Sequence, residues 1–153
     1  MTRSLLLALV CVSAPLRLCA QSDLGAVASA AASAWQRHAF GEFVRGGRIQ
    51  VTLPGVAPST PVAADQAQAL LRSYVRGGEE VEVSVTNSSL VGEAAAYVEL
   101  VRRFRAEGSQ EIRTETILLA YRRERPQTPP ETGLTTPSTG GWVLTEVRAL
   151  GGG

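Results

Sequence analysis

From residue 23 the chain repeats small and apolar side chains at helical spacing. In DLGAVASAAASAWQRH, Leu24, Val27, Ala28, Ala31, Ala34 and Trp35 fall on one stripe. That spacing predicts a helix over 23–38 with Ser22 or Asp23 as its N-cap. FGEFV adds a short turn ending at Gly46-Gly47, and the period then drops to two. RIQVTLP alternates Ile49, Val51 and Leu53 with polar neighbours, which predicts a strand. ADQAQALLRSYVRGG returns to helical spacing, with Ala67, Leu70, Leu71, Tyr74 and Val75 on one face and Asp65 placed to cap it. Four strand-like runs follow: EVEVSVTN, AAAYVELVRRFRAEG, QEIRTETILLAYRRE and GWVLTEVRAL. No internal repeat interrupts this order. It predicts an α+β fold in which N-terminal helices pack on one face of a mainly antiparallel sheet, with the last four strands as a meander.

The face assignment of the second of these strands carries most of the functional argument. Even-numbered Ala96, Val98, Leu100 and Phe104 are the more apolar set and are expected to face the helices, opposite Ile117 and Leu119. Odd-numbered Tyr97, Glu99, Val101 and Arg103 then face outward. A hairpin turning at Glu107-Gly108 places Glu99 opposite Thr116 and Tyr97 opposite Leu118. The arginine runs RRFR (102–105) and RRER (122–125) are interleaved with Glu107, Glu111, Glu115 and Glu124, which predicts cross-strand pairing on a solvated surface.

Three Gly-Gly pairs, at 46–47, 77–78 and 140–141, stand directly before strands. A phosphate cradle needs its glycines between a strand and a following helix, so these are turn punctuation. PQTPPETGLTTPSTGG, residues 126–141, is too rich in proline and threonine for a continuous ladder and is expected to be a long hairpin loop.

The N-terminus changes how composition is read. MTRSLLLALVCVSAPLRLCAQSD has Arg3, an apolar run from Leu5 to Val12 and a small-residue site at Ala20. This is the layout of a signal peptide over residues 1–20, too short to span a bilayer. The expected product is exported, periplasmic or secreted, and forms one domain over 21–153 with no integral membrane segment after cleavage. Lipidation is disfavoured, since Cys11 follows Val10 and Cys19 follows Leu18. Both cysteines leave with the signal, which excludes a disulfide and a thiolate metal site. Loss of Arg3 and Arg17 takes fifteen basic residues to thirteen, against fourteen acidic ones. A near-neutral chain has no electrostatic case for nucleic acid or an anionic membrane.

Taken together, GRIQVTLPG, ADQAQALLRSYV, the paired strands and GWVLTEVRAL resemble the nuclear transport factor 2-like superfamily, whose curved sheet wraps a long N-terminal helix into a cone. Within it they resemble a family of exported bacterial proteins known as domain of unknown function 4783, over roughly 23–150. Enzymes of the superfamily use an Asp or His at the cone mouth, completed by a Tyr or a second acid. After the signal only Asp23 and Asp65 are available, both at cap positions. The single histidine, His38, stands where the first helix ends, and a cation is favoured there by the helix dipole. No second histidine exists to build a metal site, and serines such as Ser73 or Ser84 have no base beyond His38. Acid–base work by His38 with Tyr74 or Glu99 is the catalytic arrangement the residues allow.

Two functions therefore stand side by side. One is a non-catalytic binding or interaction module, holding a small apolar ligand in the cone or forming a homodimer through its sheet, without cofactor or metal. The other is a small lyase or isomerase of the steroid-isomerase or polyketide-cyclase type. Trp35, His38, Leu70, Tyr74, Val98 and Phe104 are the candidates for lining the cone. Tyr97, Glu99, Val101, Thr114, Thr116 and Leu118 are the candidates for the interface, with catalytic residues assigned to none. An open cone lined by two or more convergent titratable groups favours the enzyme; a filled one favours the module.

Overall fold

The computed structural model describes residues 15–56, 60–124 and 141–151. The apolar run from Leu5 to Val12, the N-terminal Arg3 and nearly all of the Pro/Thr-rich segment (126–140) lie outside the described residues. The elements follow the expected order: α1 (Pro15–Gln36), a 3₁₀ turn (Phe40–Glu42), β1 (Arg48–Thr52), β2 (Val62–Ala63), α2 (Ala64–Val75), β3 (Gly78–Val91), β4 (Ala95–Ala106), β5 (Ile112–Arg123) and β6 (Trp142–Leu150). They form one six-stranded sheet in the order β2-β1-β6-β5-β4-β3. β3 to β6 make the antiparallel meander, and β1 joins β6 in parallel through Gln50↔Glu146 and Val51↔Val147. The fold is α+β, with helices on a curved mixed sheet. No described helix is long and apolar enough to cross a membrane.

The helical stripe buries as its spacing requires: Leu24, Ala28, Ala31, Ala34 and Trp35 are fully enclosed. Alanine at three of these positions lets α1 lie close to the sheet, and Trp35 fills the space at its end. Phe40 meets the Trp35 ring edge-on at 5.3 Å, and Phe43 stacks on it at 6.3 Å. From α2, Ala67, Leu71 and Val75 are buried, with Leu70 and Tyr74 half-buried beside them. The even-numbered face of β4 supplies Ala96, Val98 and Leu100, opposite Ile117 and Leu119 of β5, as alternation predicts. Trp35→Ala would cost about 3–5 kcal/mol, the usual range for emptying a buried aromatic site.

Three expectations need correction, and one strand was not foreseen. α1 begins at Pro15, so Ser22 and Asp23 lie inside the helix and neither caps it. The N-cap of α2 is Ala63, without a side-chain cap; Asp65 sits in the first turn, where the helix dipole favours a carboxylate. The two-residue strand β2 carries too short a pattern to be read from sequence. The β4–β5 register differs by two residues: Glu99 faces Leu118, Tyr97 faces Ala120, and Val101 faces Thr116. The cause is the wider loop between Ala106 and Ile112, where Gly108 adopts φ 76° and the Ser109 hydroxyl accepts from the Glu111 N–H. A shift of two leaves every side chain on its expected face.

Candidate functional site

The end of α1 is built as a Schellman turn. The N–H of His38 donates to the Trp35 carbonyl at 2.8 Å, and the N–H of Ala39 donates to the Ala34 carbonyl at 2.8 Å. His38 occupies the left-handed position of this motif, with φ 54°, the only described residue other than glycine with positive φ. Glycine is the usual occupant because a Cβ there meets backbone atoms. His38 does close the helix. Its side chain does more: Nε2 lies 3.5 Å from Glu80 Oε1, and the ring lies nearly parallel to Phe40 at 6.0 Å.

Glu80 opens a chain of buried charges. Arg102 holds it side-on, through Nη2 to Oε1 at 2.7 Å and Nε to Oε2 at 3.2 Å. The same guanidinium reaches Glu115 Oε2 through Nη1 at 3.2 Å, and the Tyr74 hydroxyl donates to the other Glu115 oxygen. The ring of Phe104 lies 4.1 Å from the guanidinium carbon and that of Tyr74 5.5 Å, so aromatic faces cover the cation. The side chains of Glu80, Arg102 and Glu115 are 2, 3 and 10 % exposed. Burial, with Glu115 beside it, pushes the Tyr74 hydroxyl well above its ordinary value, so it serves as donor and not as base.

Strand geometry explains how these groups meet. Arg102 and Glu115 are direct cross-strand partners, and Glu80 is opposite Phe104. A bulge between Glu80 and Glu82 breaks the alternation of β3. It turns Glu80 inward while Glu82 faces out to pair with Arg103 at 3.2 Å. The expected solvated pairing is overturned for Arg102 and Glu115, which pair in the interior, while Arg103 pairs on the surface with Glu82, a residue outside the expected set. Parity carried the missed signal: Arg102 shares its face with Leu100 and Phe104, and Glu115 shares its face with Ile117 and Leu119.

The cone candidates divide in two. Trp35 and Val98 are enclosed in the core, Leu70 packs beside it, and Tyr74 and Phe104 flank Arg102. His38 lines an open depression, about 330 Å³, with Arg72, Val75, Arg76, Gly77 and Gly78. On the outer face of the sheet, Tyr97, Glu99 and Leu118 line a shallow groove of about 300 Å³ with Ser89, Glu146 and Arg148. Val101 and Thr116 are half-buried on that face, and Thr114 is exposed. No group of three metal-ligating side chains occurs among the described residues.

No protein-family profile matches the sequence, and no curated protein does either. Solved structures match by shape. A DUF4783 family protein from Bacteroides uniformis superposes with a TM-score of 0.57 at 9 % identity, covering 79 % of this chain and 93 % of that one. A second, from Bacteroides ovatus, gives 0.53 at 11 %, covering 79 and 91 %. An NTF-2 like protein of unknown function from Shewanella oneidensis gives 0.52 at 13 %, covering 85 and 98 %. The chain has the nuclear transport factor 2-like fold, with a resemblance to the DUF4783 proteins.

Proposed function

We propose that this chain is an exported, non-catalytic binding or interaction module that self-associates through the outer face of its sheet. The observation that carries the reading is the state of the cone. Trp35, Phe40, Leu71, Val98 and Leu100 occupy its interior, and the titratable groups at its mouth spend their bonds on one another. Export rests on the N-terminal pattern of Arg3, Leu5 to Val12 and Ala20. Self-association is supported by Tyr97, 39 % exposed beside half-buried Val101, Thr116 and Leu118, on a face a two-fold axis could double. Sedimentation equilibrium tests it: a dimer mass is expected, reduced to monomer by Thr116→Glu with Leu118→Glu. A monomer persisting to near-millimolar concentration rejects it.

One observation favours the lyase or isomerase as a second reading. Tyr74, Glu115, Arg102, Glu80 and His38 form a continuous polar chain that ends at an open depression. Isomerisation of a steroid enone above the buffer rate, abolished by Glu80→Gln, would establish this reading over the first.

A further inference from the structure

We infer that the depression at the end of α1 and α2 binds a small anion bearing a carboxylate or phosphate group, held by Arg72 and Arg76 beside the ring of His38. The inference rests on the binding-module reading and supplies the chemical class of its ligand. Among the described residues, the charged side chains lining the depression are Arg72, in the last turn of α2, and Arg76, at its C-cap, together with the ionisable His38; no described carboxylate lines it. Arg76 has no hydrogen-bond or ion-pair partner among the described residues, and Arg72 gives one N–H to Gln68 at 3.2 Å. The other guanidinium hydrogens are free for a ligand that accepts in pairs. Glu80 is the nearest buried carboxylate, and Arg102 already grips both of its oxygens.

His38 gives the second, independent reason. Glycine is the usual occupant of this left-handed position, so an imidazole held there carries a conformational cost at a pocket wall. That backbone conformation sets the ring between the buried Glu80 and the open depression. The volume of about 330 Å³ limits the ligand to a small molecule. The adjoining depression shares Gly77 and Gly78 and is lined by the charged side chains of Glu79, Arg105 and Glu107.

Because the chain holds one histidine, the imidazole resonances of His38 in the full-length protein report occupancy without assignment. Sodium phosphate and sodium propionate are titrated separately, against sodium chloride at matched ionic strength and fixed pH. A saturable shift with phosphate, propionate or both, absent with chloride, is expected, and the arm that saturates identifies the ligand group. Arg72→Gln with Arg76→Gln should weaken that binding roughly tenfold or more, with the melting temperature unchanged. Arg72→Lys with Arg76→Lys should retain part of it. Shifts that track chloride in every arm, or equal affinity in the glutamine variant, overturn the inference. A dimer that binds neither anion sinks this inference alone and leaves self-association standing.

Discussion

His38 Nε2 and Glu80 Oε1 face each other across 3.5 Å, joining the turn that closes α1 to the first residues of β3. Gln36 Nε2 reinforces the junction by donating to the Glu80 carbonyl at 3.2 Å. Two substitutions separate the backbone role of His38 from its side-chain role. His38→Ala and His38→Gly both remove the imidazole, but only alanine places a Cβ in the left-handed region. The alanine variant should be less stable than the glycine variant by about 1 kcal/mol in urea denaturation. Equal stabilities would show that the turn relaxes.

Arg102 neutralises two buried carboxylates, so its loss should be costly. Arg102→Leu is expected to destabilise by about 3–5 kcal/mol, because Glu80 and Glu115 are left in the interior without a counter-charge. Adding Glu80→Gln and Glu115→Gln to that variant should recover most of the loss. Thermal or urea unfolding of the single and triple variants decides this. A single variant within 1 kcal/mol of the parent, a threshold typical of exposed pairs, would mean the network is effectively solvated.

Tyr121 is buried, and its hydroxyl has no hydrogen-bond partner among the described residues. Burial pushes its ionisation well above the ordinary 10.0. The folded state therefore holds this proton after the unfolded chain has begun to release it. Stability is full below pH 10 and falls as pH rises past it, with a slope from Tyr121 of at most about 1.4 kcal/mol per pH unit. Tyr74 is raised in the same direction and adds a smaller part, being half-exposed. Tyr121→Phe should flatten the alkaline decline and raise stability at neutral pH by about 1 kcal/mol. An unchanged alkaline slope would refute the assignment.

Periodicity made the skeleton legible. The shift from helical to alternating spacing at Gly46-Gly47, and back at Asp65, marks α1, β1 and α2 to within a few residues at most ends. Parity also sorted β4, with Val98 and Leu100 inward and Tyr97 and Glu99 outward. The site was harder, because its key events are local breaks in period. A bulge between Glu80 and Glu82 leaves no trace in EEVEVSV, where alternation looks unbroken. The arginine run hid Arg102 for a different reason: two of its three arginines do reach solvent, so the run looks like surface although parity sends Arg102 inside. His38 was legible as a helix end, while its contact with Glu80 depends on a tertiary approach between residues 42 positions apart.

The strand that completes the sheet is the last one made. β1 lies between the two-residue β2 and β6, so its main partner is missing until residues 142–150 leave the ribosome. The β3–β4–β5 meander can assemble earlier from local hairpins, whereas the Gln50–Glu146 pairing must close a loop of roughly a hundred residues, the kind of contact that slows folding. During that interval β5 presents an open edge with Leu118 and Ala120 upon it, and β1 has only the two-residue β2 as a partner. Any bound that shortens the interval, or any chaperone that covers the β5 edge, acts on yield before it acts on stability. Truncation within β6 should produce a chain that aggregates through β5, since among the described residues the parallel β1–β6 pairing ties β1 and β2 to the rest of the sheet.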